Sequence, residues 1–138
     1  MAISLKGRNF FALEDFTPEE IRYLLDLAIQ LKKESREHVR HQHYIGEDFL
    51  LLFEMNSTRT RCAFETSAND LGMGTTFLSN SHFGNTETIK DSMRVFSEMY
   101  SAIGYRGAKH STLLEMAKDS RIPIINGYTD HQHPTQML

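Results

Sequence analysis

Residues 53–61 read Phe-Glu-Met-Asn-Ser-Thr-Arg-Thr-Arg, which puts three hydroxyls (Ser57, Thr58, Thr60) and two guanidinium groups (Arg59, Arg61) within five consecutive positions. A guanidinium offers a planar fork of donors to a pair of oxygens, and hydroxyls can satisfy those that remain, so the group suits a phosphate-like anion. The glycines and lysine of a Walker phosphate loop are missing. The plainer alternative is a Ser/Thr helix cap flanked by two solvated arginines. Further polar residues follow two other apolar stretches: Arg106 after 102–105, and His133 and Gln136 after 122–126. Taken singly, Arg106 reads as a surface ion-pair partner and His133 as a helix-start residue before Pro134.

Other chemistry is weaker. The pairs His41/His43 and His131/His133 have no acid cluster beside them, and a zinc site needs three or four ligands in fixed geometry, so no metal is expected. Cys62 is the single cysteine, which excludes an intrachain disulfide and points to a reducing compartment. A free cysteine within a helix reads as a small hydrophobe rather than a nucleophile. The seven methionines, Met93 and Met99 among them, read as core filling.

The elements that must position these groups alternate in type. Thr17, Pro18 and Glu20 form a capping-box pattern, and Ile21, Leu24, Leu25, Ala28 and Leu31 follow at helical spacing, predicting a helix over 18–35. The polar stretch 37–44 reads as a connector. Residues 49–53 are all apolar, as a strand buried on both faces requires. A helix over 61–68 follows, closed by Gly72 as a left-handed cap. Then come a strand at 75–78, a loop at 79–87 and a helix at 88–100. The chain ends with a strand at 102–105, a helix at 111–120 carrying Leu113, Leu114 and Met116, and a strand at 122–125. Pro123 makes that last strand an edge, or else is its first residue. Helix, then strand–helix three times, then strand predicts an α/β fold: a four-stranded parallel sheet flanked by helices. In such a sheet ligands bind beyond the carboxyl ends of the strands, so residues 57–60, Arg106, His133 and Gln136 are expected to share one cleft. The first amides of the helix after Ser57 would add to the anion site.

Composition sets outer bounds. The 138 residues make one domain of ordinary size, with 40% apolar and 24% charged residues. Fifteen Lys+Arg against 18 Asp+Glu leave a charge of −3, which argues against a nucleic-acid binder relying on bulk positive charge. No apolar run approaches a membrane span, and the first residues carry no signal-peptide stretch, so a cytoplasmic protein is expected. Residues 133–136 open a helix close to Leu138, which reads as one domain of a longer protein or a truncated chain.

Three motifs in order, Ser57-Thr58-Arg59-Thr60-Arg61, Tyr105-Arg106-Gly107 and His133-Pro134-Thr135-Gln136, resemble the carbamoyl-phosphate-binding half of the aspartate/ornithine carbamoyltransferases. The resemblance runs from Leu5-Lys6-Gly7-Arg8 to the last residue. Asp15-Phe16-Thr17, residues 88–95 and Tyr105-Arg106-Gly107 are most similar to the ornithine branch; the aspartate branch usually has a histidine where Gly107 stands. The chain departs from the ornithine pattern at Met55, where many relatives have lysine, and at His82, commonly glutamine.

The resemblance implies that residues 1–138 are the carbamoyl-phosphate-binding domain, with the amino-acid-binding domain absent. It implies transfer of a carbamoyl group to the side-chain amine of ornithine, giving citrulline and phosphate, as part of arginine metabolism. Ser57, Thr58, Arg59 and Thr60 would cradle the phosphate, Thr60, Arg106 and His133 would serve the carbonyl oxygen, and Gln136 would hold the carbamoyl NH₂. His82 would contact carbamoyl phosphate from a neighbouring subunit of a homotrimer. No cofactor, metal, nucleic acid or membrane is implied, and little activity is expected of the 138 residues alone. The alternatives are a non-catalytic anion-binding or trimer-forming module, a carbamoyltransferase for another amine such as putrescine, and a phosphate-sugar isomerase-like domain. The last would not need Arg106, His133 and Gln136 together.

Overall fold

The computed structural model describes residues 2–79 and 81–138. Four parallel strands form one sheet in the order β2-β1-β3-β4: β1 (Asp48–Phe53), β2 (Gly74–Leu78), β3 (Ala102–Arg106) and β4 (Ile124–Asn126). The helices between them are α2 (Arg59–Asp70), α3 (Ile89–Met99) and α4 (His110–Asp119); α1 (Pro18–Arg36) precedes the sheet and α5 (Pro134–Met137) follows it. The expected α/β architecture and every expected element are present, with ends shifted by at most two residues. β4 begins at Ile124 rather than Ile122. Pro123 lies just outside it and still accepts a bond from Ile103 N–H at 3.0 Å, which costs its missing donor nothing.

Parallel pairing buries both faces of the central strands. Leu50, Leu52, Ile103, Tyr105 and Ile124 pack with Met93, Leu113 and Met116 of α3 and α4. Phe49, Leu51 and Phe53 pack on the other face with Ala68, and Phe64 of α2 lies against them. This is why residues 49–53 show no polar alternation. The β4 edge is covered by the N-terminal segment: Phe10 N–H donates to Ile124 O at 2.9 Å and Asn126 N–H to Phe10 O at 2.8 Å.

Local signals act as written in the chain. Thr17 Oγ1 accepts from Glu20 N–H at 3.2 Å and Glu20 Oε2 accepts from Thr17 N–H at 2.9 Å, a complete capping box. Gly72 closes α2 at φ +87°, where a side chain would be strained and would press on Ile45. Burial departs from expectation in four places. α1 has no buried residue; Ile21, Leu24 and Leu25 are half-buried, whereas Ala28 and Leu31 are exposed. Met93 and Met116 are core, but Met99 is 59% exposed and Met137 71%. Leu114 is exposed, beside the buried Leu113 and Met116. Cys62 is exposed as well, since α2 presents Phe64 and Ala68 inward instead. Among the described residues no helix is long and apolar enough to cross a membrane.

Candidate functional site

Strand register brings the first groups together. Phe53 lies opposite Arg106 and Tyr105 opposite Asn126, so the chain leaves three neighbouring strands at one edge. Glu54 N–H donates to Arg106 O at 2.8 Å, which continues the ladder one residue past β1. The turn through residues 54–58 then starts α2 beside Arg106. Thr58 is the cap residue of α2, yet its side chain accepts no amide, and no acidic residue sits in the first turn. α1 and α3 both have side-chain caps from threonine and acids in their first turns. The positive end of α2 is therefore neither capped nor neutralised by its own sequence.

Arg106 reaches across this edge. Its Nη1 donates to Gly127 O at 3.0 Å and lies 3.5 Å from Thr60 Oγ1. Its guanidinium carbon is 4.8 Å from the centre of the Tyr128 ring, and its Nε is buried without a hydrogen-bond partner. His133 is the cap residue of α5, with Pro134 in the first helical position. Its Nδ1 is 3.3 Å from Thr135 Oγ1, and its ring meets Tyr128 edge to face at 5.9 Å. Burial, and after it the Arg106 charge, hold His133 below the ordinary imidazole pKa, so the ring is neutral at pH 7.

Arg59, Thr60, His133, Thr135 and Gln136 form the polar mouth of a cavity of about 530 Å³. No carboxylate lines it among the described residues. The cavity continues as an apolar trough past Phe64, Ile125 and Phe49 to Met73 and Ala102, at the amino ends of the strands. Of the residues expected to converge, Arg59, Thr60, His133 and Gln136 share the cavity wall, and Arg106, just outside it, reaches Thr60. Ser57 and Thr58 sit on the turn before α2, half-buried and exposed respectively, outside the cavity wall. His82 is also outside it, exposed on the 79–88 loop with Nδ1 2.7 Å from Thr86 Oγ1. Asn80, part of the expected loop, lies outside the described residues.

Three supports were not legible in the sequence. Tyr105 is fully buried, and its hydroxyl donates to the Glu54 carboxylate; burial, then the bond to Glu54 and its charge, push the phenol pKa up. Gly107 is what makes room for that pair, because a Cβ there would run into both groups. Asn126 is fully buried: Nδ2 donates to Phe11 O at 2.9 Å and Gln132 O at 3.1 Å, while Oδ1 accepts from Tyr128 N–H at 2.9 Å. These bonds shape residues 127–133, the segment that carries Tyr128 and His133. An asparagine closing the apolar stretch Ile124-Ile125-Asn126 is the one sequence signal that points this way.

The His131/His133 pair diverges, whereas His41 and His43 stay together. His131 Nε2 lies 2.8 Å from Glu14 Oε1 and its ring sits 4.7 Å from that of His110, whereas His133 faces Arg106. His110 is held below the ordinary imidazole pKa by burial first and by His131 second. His41 Nε2 is 2.6 Å from Glu34 and its ring stacks on His43. Among the described residues no three His, Cys, Asp or Glu side chains converge on a point.

The family model for the aspartate/ornithine carbamoyltransferase carbamoyl-phosphate binding domain matches residues 8–138. The chain is 51% identical over 138 residues to a catabolic ornithine carbamoyltransferase of Clostridium perfringens, covering 100% of this chain and 42% of the relative. It is 46% identical over 140 residues to the ornithine carbamoyltransferase of Caldanaerobacter subterraneus, covering 45% of that protein. The chain thus spans less than half the length of these relatives. Among solved structures, ornithine carbamoyltransferase from Pyrococcus furiosus superposes with a TM-score of 0.94 at 34% identity, over 98% of this chain and 44% of the other. The anabolic enzyme of Campylobacter jejuni gives 0.86 at 39% identity, over 94% and 42%.

Proposed function

The chain belongs to the aspartate/ornithine carbamoyltransferase family, as its carbamoyl-phosphate binding domain, and from that premise we propose that it binds carbamoyl phosphate for transfer to the side-chain amine of ornithine. The observation that carries this reading is the meeting of Thr60, Arg106 and neutral His133 beside the uncapped start of α2. The helix terminus and Arg59 would take the phosphate dianion, with Ser57 and Thr58 closing over it. Thr60, Arg106 and His133 would donate to the carbonyl oxygen. A Thr135 hydroxyl donating to Nδ1 of His133, 3.3 Å away, would place the ring proton on Nε2, free for that oxygen. Gln136 would hold the carbamoyl NH₂.

In the reaction the neutral amine nitrogen bonds to the carbonyl carbon, and the C=O electron pair moves onto oxygen. The tetrahedral intermediate then expels phosphate, and the departing phosphate takes up the proton that the amine nitrogen loses. Donors already aimed at the oxyanion are each worth roughly 10²–10³-fold in rate. Among the described residues the one proton acceptor in the polar mouth is the His133 imidazole, which would serve the carbonyl oxygen rather than the amine. The acceptor-binding residues and the closure that dries the site belong to a second domain, so residues 1–138 alone would transfer little; orientation supplies about 7–11 kcal/mol of barrier lowering.

The same reading makes the protein a trimer in which His82 of one subunit reaches its neighbour's site; the exposure of His82 on a projecting loop supports this. It also places the protein in the cytoplasm and in arginine metabolism, with the single cysteine consistent with a reducing compartment. Calorimetric titration with carbamoyl phosphate tests the binding step. A helix terminus at about 0.3–1 kcal/mol and charged hydrogen bonds at about 1.5–3 kcal/mol each imply a dissociation constant of roughly millimolar to tens of micromolar. Absence of heat with the wild type, or equal heat with Arg59→Ala, would reject the cradle.

A further inference from the structure

Tyr128 has φ +137°, a backbone state that side chains other than glycine rarely adopt. The loop does not need tyrosine for its course. Backbone groups set that course: Tyr128 N–H donates to Asn126 Oδ1 at 2.9 Å and its carbonyl accepts from Gly107 N–H at 3.1 Å. Glycine would make both bonds without strain. The ring, however, touches two polar groups of the cleft at once. One contact is the Arg106 guanidinium, 4.8 Å from the ring centre, and the other is the His133 imidazole, 5.9 Å away and nearly perpendicular.

We propose that Tyr128 is a positioning residue: its ring fixes the Arg106 guanidinium and the His133 imidazole relative to each other, so that both address one oxygen of the ligand. That the ligand is carbamoyl phosphate rests on the function proposed above; the positioning itself does not.

The choice of an aromatic face has a physical reason. A carboxylate beside Arg106 would hold it more strongly, but would occupy its N–H groups and cancel its charge. A π face attracts the cation without accepting its hydrogen bonds. Arg106 spends Nη1 on Gly127 O and retains the rest, and its Nε has no protein partner. The same ring keeps water off His133 from one side. Arg106 is the charge that acts on His133, Arg59 shares the cavity wall, and no carboxylate lines that wall among the described residues. The depressed His133 pKa agrees with this arrangement.

Three variants separate positioning from packing. Tyr128→Gly relieves the backbone and removes the ring, Tyr128→Leu keeps apolar bulk without a π face, and Tyr128→Phe keeps the face. Urea midpoints, calorimetric affinity for carbamoyl phosphate, and the His133 titration by NMR without ligand are measured on each. Tyr128→Gly should be at least as stable as the wild type yet bind about 3–30-fold more weakly, and Tyr128→Leu should weaken to a similar degree. In Tyr128→Leu, His133 should titrate nearer the ordinary imidazole value, because Arg106 is no longer held beside it. Tyr128→Phe should match the wild type within about twofold in affinity. Leucine binding as tightly as tyrosine, phenylalanine binding as weakly as glycine, or an unmoved His133 titration in folded Tyr128→Leu would each overturn the proposal. If the wild type binds no carbamoyl phosphate, the function proposed above fails, while the ligand-free titration still decides the role of Tyr128.

Discussion

Replacing Gly107 by alanine places a Cβ where the Tyr105 hydroxyl and the Glu54 carboxylate already meet, 2.7 Å from Glu54 Oε2 and nearer still to the phenol. The backbone at 107 lies outside the positive-φ region, so alanine can adopt it and the cost comes from contact alone. The Tyr105 ring has little room to retreat, being fully buried with Phe83 6.3 Å away between ring centres. Overpacking of this kind costs about 1–3 kcal/mol. If the hydroxyl swings off Glu54 instead, a buried donor is left unpaired, at about 1–3 kcal/mol. Relief of one partly relieves the other, so the expected loss is about 2–4 kcal/mol of a typical total of about 5–15. With a urea slope of about 1–3 kcal/mol/M the midpoint should fall by roughly 1–2 M. Tyr105→Phe alone should lose about 1.5–3 kcal/mol, the worth of a hydrogen bond to a charged group. The double variant should be less damaged than the sum by at least about 1 kcal/mol, because removing the hydroxyl clears the space the new methyl needs. Urea denaturation followed by circular dichroism measures all four corners of the cycle. Additivity within about 0.5 kcal/mol, or an unchanged midpoint for Gly107→Ala, would refute the claim that Tyr105 and Gly107 are chosen together.

Asn126→Ala should cost about 2–4 kcal/mol, since it strips partners from Phe11 O, Gln132 O and Tyr128 N–H; a loss below about 1 kcal/mol in urea would contradict the loop network drawn above. Thr17→Ala and Thr58→Ala change the same residue at the same helix position. The first should lose about 0.5–2 kcal/mol with its capping box. The second should stay within about 0.5 kcal/mol of the wild type, because Thr58 caps nothing; equal losses in thermal melts would show that the two caps are alike. Stability should also fall on acidification. His110 and His133 titrate below the ordinary imidazole value, with burial the first cause in each, so the unfolded chain binds protons near pH 6.5 that the native chain does not yet bind. The stability these rings contribute is present above that pH and lost as the pH falls through their lowered native values. The His110→Gln/His133→Gln double variant should show a shallower fall in urea midpoint between pH 7.5 and 5.5, and an unchanged slope would remove these two rings as its source.

The fold was legible because its signals are local or repeat along the chain. The capping box at Thr17 and Glu20 sits within four residues, Gly72 marks its own cap, and the all-apolar stretch 49–53 states that both faces of its strand are covered. Half of the site was legible for the same reason. Arg59, Thr60, Arg106, His133 and Gln136 follow strand ends, and in a parallel sheet strand ends share an edge, so their meeting follows from topology, whereas Ser57 and Thr58 stay on the turn outside the cavity wall. Burial at single positions was less legible. Helical spacing marks Met99 and Leu114 as readily as Met93 and Leu113, but only the packing of α3 against α4 and the sheet decides which of them turns inward.

Composition and periodicity thus determined the strand–helix order, the parallel sheet and the edge at which donors collect. Tertiary structure decided how those donors are held. Asn126 bonds to Phe11, Gln132 to Leu13 and Tyr105 to Glu54 across separations of 115, 119 and 51 residues. Tyr128 adopts a backbone angle that its own side chain disfavours. Contacts at such separations leave no periodic trace in a sequence. They form because register first sets Phe53 beside Arg106 and Tyr105 beside Asn126, and each buried polar group then requires a partner at whatever position the fold has brought within reach.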